Sequence, residues 1–425
     1  MLRLLLLATL AGSALAGDFT VKILPRQASS VGSYPPPLAI PTADQTPKEW
    51  LDALDAAIAA GKIPNIAPAL NQGGSPVYQN NEGNDPNTCS WTATKCVSKT
   101  DIVNAPPSHM TIGFDDGPTE NSGDLYDFLS QHNQSATHFM IGSNVLINSQ
   151  QFDQAVKQGN QHFAVHTWSH QLCSTLTNQQ LVAELGWTMQ IIADKSGGYI
   201  PRFWRPPQGD VDNRVRAIAE EIFGLTNVLW NHDTNDWCLN DQGGSACPGE
   251  VPGQDYASVA AAAAAGIHGP KENGLIMLEH ELTHASISVF KNYYPSLGGL
   301  GWIVDNVADV FEMPWYKNAW DDSTPLQNGT VLQTFQLGAN PNDENSSSSS
   351  AAPSSTSATT TSSTDTSTAT STPTHSGSRS DASSRTSPTA AVKQGIATSG
   401  ASSFVPATFG LASFAAAVAF VATLL

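Results

Sequence analysis

The chain of 425 residues contains little charge and especially few basic residues. Only 13% of it is charged, Lys and Arg together number 19 against 37 acidic residues, and the formal net charge is −18. Nucleic-acid binding requires clustered Lys and Arg, so this composition argues against a nucleic-acid partner. A neutral substrate such as a polysaccharide is compatible with the composition, and no protein partner is evident in the sequence.

Cysteine is also scarce, with five residues in the whole chain. Cys89 and Cys96 are close in sequence, as are Cys238 and Cys247, so two local loops are the simplest disulfide pairing. Cys173 is then left over. Longer-range pairing is equally allowed in a secreted chain.

Both ends of the chain have the pattern of targeting segments. Residues 1–16 carry a basic residue, an apolar run and the small-x-small sequence Ala14-Leu15-Ala16, which predicts a secretory signal peptide. Residues 400–425 predict the signal for a glycosylphosphatidylinositol (GPI) anchor, attached near Ser399, with the apolar tail removed. The alternative is a retained transmembrane helix, but Pro406 and many small residues make the segment a poor one. The expected location is therefore outside the cell, anchored at the outer face of the plasma membrane and in the cell wall.

Composition divides the rest of the chain into four segments. Residues 17–104 form an N-terminal extension with one amphipathic helix. Residues 105–315 form the expected catalytic domain, and 316–345 form its tail. Residues 346–399 form a stalk, because 22 of the 30 residues from 346 to 375 are Ser or Thr and bury too little apolar surface to fold. The N-glycosylation acceptors are Asn133, Asn328 and Asn345.

The helix of the extension is expected to pack on the main domain. Its apolar stripe contains Trp50, Leu51, Leu54 and Ile58, and Gly61 ends it. A carbohydrate-binding role for Trp50 is the alternative.

Between residues 109 and 311, short apolar runs alternate with segments of helical spacing. This alternation predicts an α/β fold with a mainly parallel sheet, either open and doubly wound or closed into a barrel. In either arrangement the functional residues gather at the carboxyl ends of the strands. The predicted strands are 109–114, 137–141, 162–166, 202–205, 225–230 and 275–279, and the predicted helices are 121–132, 149–159, 177–195, 211–222 and 255–266.

The first strand ends in two adjacent carboxylates, Asp115 and Asp116. Taken alone, a solvated Asp-Asp-Gly-Pro turn explains them, but two acids forced together need a cation between them or one neutral partner. His166 and His170 follow another predicted strand and share one face if the chain turns helically there. With Asp116 they make a His₂-carboxylate set, which suits a divalent transition metal with open positions. Zinc is the first choice, with cobalt or another first-row metal as the alternative.

Three further motifs follow predicted strands. Asp115 could take a proton from a water activated by the metal, and Arg205 of the RPPQGD sequence could hold Asp115 ionised and oriented. Taken alone, RPPQGD, DTNDW (233–237) and LEHEL (278–282) are a stiff surface loop, a capped loop and a strand with a core histidine. A hydrolase that splits an amide, however, needs an acid such as His280 for the departing amine.

In this order, TIGFDDGP, HTWSH, RPPQGD, DTNDW and LEHEL resemble the five motifs of the polysaccharide deacetylase family. The secreted, stalked layout is similar to that of the fungal chitin deacetylases. The resemblance spans roughly residues 105–315 and implies a distorted (β/α) barrel. It also implies a metal-dependent enzyme that removes N-acetyl groups from the N-acetylglucosamine residues of chitin, giving chitosan and acetate. An acetyl esterase on another wall polysaccharide, or a non-catalytic polysaccharide-binding wall protein, is the alternative.

The resemblance implies a role for each motif residue. Asp115 matches the catalytic base, which also contacts substrate. Gln208 stands where the family usually has an aromatic residue, so the aromatic wall is missing there, whereas the backbone N–H that donates to the oxyanion is retained. The other matches are Asp116, His166 and His170 as metal ligands, Arg205 as the residue that orients the base, Asp236 as a partner of Arg205 or His280, Trp237 and Leu278 as walls for the acetyl methyl group, and His280 as general acid.

Overall fold

A computed structural model describes residues 33–342 of the chain, except 243 and 248. The predicted signal peptide, stalk and anchor signal, with Ser399 and the acceptor Asn345, lie outside the described residues. Within the described part, none of the helices combines the length and the apolar character needed to cross a membrane.

The strands are short, and several are buried along their whole length, as in Thr137–Met140 and Leu275–Leu278. Burial on both faces is typical of parallel strands covered by helices. In chain order the strands are β1 (Leu70–Gln72), β2 (Ser75–Val77), β3 (His109–Thr111), β4 (Gly113–Gly117), β5 (Thr137–Met140), β6 (His162–Val165), β7 (Phe203–Trp204), β8 (Thr226–Asn227), β9 (His232–Asp233), β10 (Leu275–Leu278) and β11 (Ile303–Asp305).

Hydrogen bonding joins strands β3 to β11 into a distorted barrel, while β1 and β2 form a separate antiparallel pair. Strands β4, β5, β6, β7 and β8 lie side by side in parallel, and β10 pairs in parallel with both β9 and β3. These two groups of strands form two sheets that are linked by short stretches of chain. Only Ile112 separates β3 from β4, and four residues separate β8 from β9. A parallel bridge between Asp115 and His280 closes the ring. The expected α/β fold with a distorted barrel is thus confirmed.

Helices cover the outside of the ring, and each predicted helix is present within two residues of its expected bounds. The helices after β5, β10 and β11, and the short helix Trp91–Thr94, were not predicted. The helices are α1 (Lys48–Ala59), α2 (Trp91–Thr94), α3 (Ser122–Gln131), α4 (Gly142–Ile147), α5 (Ser149–Gln158), α6 (Asn178–Ser196), α7 (Asn213–Phe223), α8 (Tyr256–Ile267), α9 (His284–Tyr293) and α10 (Val307–Val310).

Helix α6 runs through the larger of the hydrophobic cores. Thr177 and Gln180 form a capping box at its start, and Gly197, at φ +90°, ends it in a left-handed conformation. Its residues are buried around most of the helix circumference, which is typical of a helix enclosed on several sides.

Helix α1 of the N-terminal extension packs against α6 and α7, as expected. The Trp50 ring makes edge contacts with Trp187 at 5.4 Å and Phe223 at 6.1 Å, and it is 2% exposed. A surface role for Trp50 in binding carbohydrate is therefore excluded. The expected apolar stripe was wrong at Ile58, which is 45% exposed, because Ala57 faces the core in its place.

The disulfides follow the local pairing. Cys89 joins Cys96 across 7 residues, and Cys238 joins Cys247 across 9 residues. Cys173 is a buried free thiol. The longer-range alternative is thus wrong.

Candidate metal-dependent active site

Three potential ligands converge at the carboxyl ends of two parallel strands that are separated by β5. Asp116 lies in β4, while His166 and His170 follow β6. The Asp116 Oδ1 atom is 3.3 Å from His166 Nε2 and 3.2 Å from His170 Nε2. All three ligand atoms lie within 4.8 Å of one another. The predicted His₂-carboxylate set is therefore assembled by the fold.

The residues present fit a divalent transition metal. Asp116 Oδ1 is buried and has no hydrogen-bond partner among the described residues, a costly arrangement unless a ligand satisfies it. His166 Nδ1 contacts the Arg205 carbonyl oxygen at 2.7 Å, so Nδ1 carries the proton and Nε2 keeps its lone pair for a metal. Two imidazoles and one carboxylate leave positions open for water and substrate.

The loop between the two histidines is not helical, contrary to the expected helical turn. Thr167 and His170 have φ values of +65° and +57°, in the left-handed region that non-glycine residues rarely adopt. The Glu184 carboxylate, from α6, stabilises this loop. It accepts hydrogen bonds from the backbone N–H groups of Trp168 at 2.7 Å and Ser169 at 2.8 Å.

Glu184 is a functional residue that the motif analysis missed. It is fully buried beneath the metal-ligand loop and also accepts a 2.5 Å hydrogen bond from the Ser169 hydroxyl. Burial raises the pKa of Glu184 to about 7, whereas the hydrogen bonds from the loop favour its ionised form. The sequence did contain a signal for Glu184, because it is the single acid in the apolar run 181–185 of a helix. Burying a carboxylate without hydrogen-bond partners is costly, so an acid at such a position indicates that partners are present.

Asp115 is the neighbour of the ligand Asp116 and forms a buried ion pair. The Arg205 Nη1 group donates to Asp115 Oδ1 at 2.7 Å, and both side chains are at most 3% exposed. The other oxygen, Oδ2, is 3.8 Å from His166 Nε2. Arg205 thus contacts one carboxylate oxygen, and the second lies beside the ligand cluster; the role of Arg205 in orienting the base stays a prediction.

Aromatic rings and carbonyl groups hold the Arg205 guanidinium in place. It lies 4.1 Å from the Phe139 ring centroid and 5.9 Å from that of Trp230. Its Nε donates to the Val228 carbonyl at 3.2 Å. Sequence analysis missed Phe139 and Trp230, because a strand aromatic cannot be distinguished from an ordinary core residue by pattern alone.

His280 follows β10 and pairs with Asp236. The imidazole Nδ1 is 2.7 Å from Asp236 Oδ1, and the His280 backbone N–H donates to Oδ2 at 2.8 Å. Burial lowers the pKa of His280, but the Asp236 carboxylate outweighs this effect and raises the pKa to about 10. Of the two partners expected for Asp236, the described structure gives it His280 and not Arg205.

The remaining predicted substrate residues differ in exposure. Leu278 is 6% exposed at the end of β10, whereas Trp237 is 42% exposed and presents a large apolar surface. Gln208 is exposed and has φ +56°, in a tight turn two residues after Pro206. An exposed polar side chain there cannot supply the aromatic wall.

A buried carboxylate lies behind the Asp115–Gly117 turn. A Cβ atom on Gly117 would overlap the Glu281 side chain, so only glycine fits at this position. Glu281 is 3.1 Å from His138 Nδ1, and both side chains are fully buried. This pair packs against the end of β4, which carries the two aspartates. The sequence motifs did not indicate it.

The two glycosylation acceptors in the described part of the chain are accessible. Asn133 lies in the turn after α3, and Asn328 lies in the segment after α10, and both are exposed. Their modification stays a prediction.

Comparisons with known proteins agree with this geometry. The family model described as polysaccharide deacetylase matches residues 103–228, which contain Asp115, Asp116, His166, His170 and Arg205. The chain is 46% identical over 300 residues to chitin deacetylase 3 of Cryptococcus neoformans, covering 69% of this chain and 70% of that protein. It is 36% identical over 261 residues to the chitin deacetylase of Amylomyces rouxii, covering 59% and 58%.

A solved structure of a chitin deacetylase, from Colletotrichum lindemuthianum, aligns with a TM-score of 0.42 at 20% identity, covering 50% of this chain and 92% of that one. Because it matches the family model and is 46% identical to the relative from Cryptococcus neoformans over more than two thirds of both chains, the chain belongs to the polysaccharide deacetylase family.

Proposed function

We propose that this protein is a metal-dependent chitin deacetylase, which hydrolyses the N-acetyl groups of N-acetylglucosamine residues to give chitosan and acetate. One observation carries the proposal: a base and an acid lie on paired segments beside the ligand set, since Asp115 and His280 form a parallel backbone bridge. The relatives named as chitin deacetylases supply the substrate class. Zinc is the proposed metal, with cobalt as the alternative.

The chemistry begins with the activation of water. A divalent ion held by Asp116, His166 and His170 would polarise the acetyl carbonyl and acidify water beside it. Asp115 removes a proton from the attacking water, because its Oδ2 faces the ligand cluster while Arg205 holds Oδ1.

The water oxygen adds to the acetyl carbon, and the carbonyl oxygen becomes negatively charged. The backbone N–H of Gln208 is the proposed donor to this oxyanion, a contribution of about 3 kcal/mol for one donor. His280 then gives a proton to the amine nitrogen as the C–N bond breaks and acetate leaves. Because Asp236 occupies Nδ1, the proton that is transferred comes from Nε2.

Release of acetate tests this function. Purified protein with one equivalent of Zn²⁺ should release acetate from chitin oligomers, and treatment with a chelator should abolish the release until metal is restored. Acetylated xylan, supplied at the same concentration of acetyl groups, is the comparison substrate. Release from acetylated xylan alone would identify an acetyl esterase, and release from neither substrate would contradict the enzymatic proposal.

Replacing His280 separates the general acid from the rest of the site. His280→Ala should lower deacetylation of chitin oligomers by ~10²–10⁴-fold, because an amine leaves poorly without a proton. Hydrolysis of an activated aryl acetate should fall much less, since a phenolate leaves unprotonated. An equal loss on amide and ester would show that His280 is not the acid.

We also propose that the mature protein is secreted and GPI-anchored near Ser399, at the outer membrane face and in the wall. The support is the pattern of residues 1–16 and 400–425, both of which lie outside the described residues. A phospholipase that cuts GPI anchors should release the protein from intact cells. Retention after this treatment, with peptides from 404–425 detected by mass spectrometry, would indicate a transmembrane helix instead.

A further inference from the structure

We propose that residues 34–38 of the N-terminal extension strap the loop that carries two metal ligands and thereby set the metal affinity of the site. This segment, called the strap below, precedes the barrel strands by some 70 residues of chain. The proposal rests on the metal-dependent function proposed above. It gives the extension a role in the active site, in addition to packing.

The strap contacts the loop through Trp168, which lies between His166 and His170. The Trp168 indole N–H donates to the Pro36 carbonyl oxygen at 3.1 Å. The Tyr34 ring stacks on the indole, with 6.0 Å between centroids and 22° between planes. Trp168 is fully buried, so these contacts replace those that water would otherwise make.

Ser143 makes a second connection between strap and loop. The Leu38 backbone N–H donates to the Ser143 hydroxyl oxygen at 2.8 Å, and that hydroxyl donates to the Trp168 carbonyl oxygen at 2.5 Å. A Cβ atom on the neighbouring Gly142 would lie 2.6 Å from the Trp168 ring. The indole is therefore tightly packed on the side of Gly142, and Ser143 links the strap to the loop through two consecutive hydrogen bonds.

The loop needs this support because its own backbone is strained. Left-handed conformations at Thr167 and His170 persist only where surrounding contacts impose them. Glu184 holds the loop from the inner side, and the strap holds it from the outer side. His166 is also fixed by its contact with Arg205, whereas His170 is 31% exposed and depends more on the loop.

Loss of the contact between the strap and Trp168 should therefore lower the metal affinity. The loss of affinity should be larger than expected from the loss of one hydrogen bond in the folded protein. Outer partners that orient metal ligands are typically worth 10–100-fold in metal affinity. A misplaced His170 removes one of three protein ligands from the productive geometry. The strap is accordingly a positioning element, and metal affinity is the quantity that distinguishes it from ordinary packing.

The test compares two tryptophans that donate to the same extension. Trp168→Phe removes the bond to Pro36 and keeps an aromatic ring. Trp187→Phe is the matched control, because the Trp187 indole donates to the Gln45 carbonyl oxygen, also at 3.1 Å, at a position outside the metal-ligand loop. The Trp187 ring also makes an edge contact with Tyr34, with 5.9 Å between centroids, and a phenylalanine ring can keep that contact. Both variants are made in the full chain, and Zn²⁺ affinity is measured by competition with a chromophoric chelator, alongside the unfolding temperature.

We expect Trp168→Phe to bind Zn²⁺ about 10-fold more weakly, at the lower end of the range for outer partners, and Trp187→Phe to bind it like the wild type. The unfolding temperature should fall in both. Wild-type affinity in Trp168→Phe, or equal loss in both variants, would overturn the proposal. Ser143→Ala is the second variant if Trp168→Phe fails to fold. Ser143→Ala should also weaken Zn²⁺ binding. Unchanged Zn²⁺ affinity in a folded Ser143→Ala protein would likewise overturn the proposed role of the strap.

These measurements use the metal alone and no substrate. If the wild type bound Zn²⁺ but released no acetate, the proposed function would fail while the affinity comparison kept its meaning. If acetate release were normal and Trp168→Phe bound Zn²⁺ like the wild type, the proposed role of the strap would be wrong and the proposed deacetylase function would be supported.

Discussion

Asp115→Asn should retain the metal and lose nearly all turnover. The change removes the base and none of the three ligands, so metal content should equal that of the wild type while deacetylation falls by several orders of magnitude, at or above the ~10²–10⁴-fold typical of one proton-transfer group. The amide oxygen can still accept the hydrogen bond from Arg205, which in the wild type is 2.7 Å long. The site geometry is therefore expected to persist.

The same substitution carries a cost in stability that must be separated from its effect on catalysis. Arg205 is 1% exposed, and removing the charge of its partner leaves a buried guanidinium uncompensated. Breaking a buried pair costs about 3 kcal/mol or more, so the unfolding temperature should fall. Activity is therefore measured well below that temperature.

Asp124→Asn is a suitable control for Asp115→Asn. It makes the same chemical change in a surface pair with Lys291, whose contribution is at most about 1 kcal/mol. We expect wild-type activity and metal content in this control. Activity within tenfold of wild type in Asp115→Asn would mean that another group is the base.

His170→Ala should lose both metal and turnover. Its Nε2 atom is one of three protein donors within 4.8 Å of one another, and alanine offers no replacement. We expect Zn²⁺ affinity to fall by at least ~100-fold, beyond the usual effect of losing an outer partner. Metal analysis of protein purified without added metal, and titration with Zn²⁺, measure the change.

His132→Ala is the matched control for His170→Ala. His132 is an exposed imidazole whose Nδ1 contacts the Phe128 carbonyl oxygen at 2.8 Å, at the end of α3. It should bind metal like the wild type. Equal metal content in His170→Ala and His132→Ala would contradict the ligand assignment.

Part of the site was readable from the sequence because its signals are local. Asp115 and Asp116 are adjacent, and His166 and His170 are four residues apart, so each motif could be found without knowledge of the fold. Strand–helix alternation then predicted that the motifs would meet at one edge of a parallel sheet. The structure brings them together there.

Other features had only weak local signals. Ile58 fitted the helical stripe and is exposed, because the N-terminal helix turns Ala57 toward the core. The turn after His166 fitted helical spacing and is instead held in left-handed conformations by Glu184. In both cases packing against α6 overrode the local pattern, since tertiary contacts outweigh small differences in backbone preference.

The sequence by itself determined the ligand types and the alternation of the main strands and helices, and it favoured the local disulfide loops, because apolar periodicity and residue spacing express these over a few residues. Only the tertiary structure decided which distant groups meet. Trp168 contacts Pro36 across 132 residues, and Glu281 contacts His138 across 143. No periodicity encodes such contacts. They arise when the barrel closes and brings strand ends, α6 and the N-terminal extension to one place. Burial there strengthens each hydrogen bond, because the protein interior has a lower dielectric constant than water.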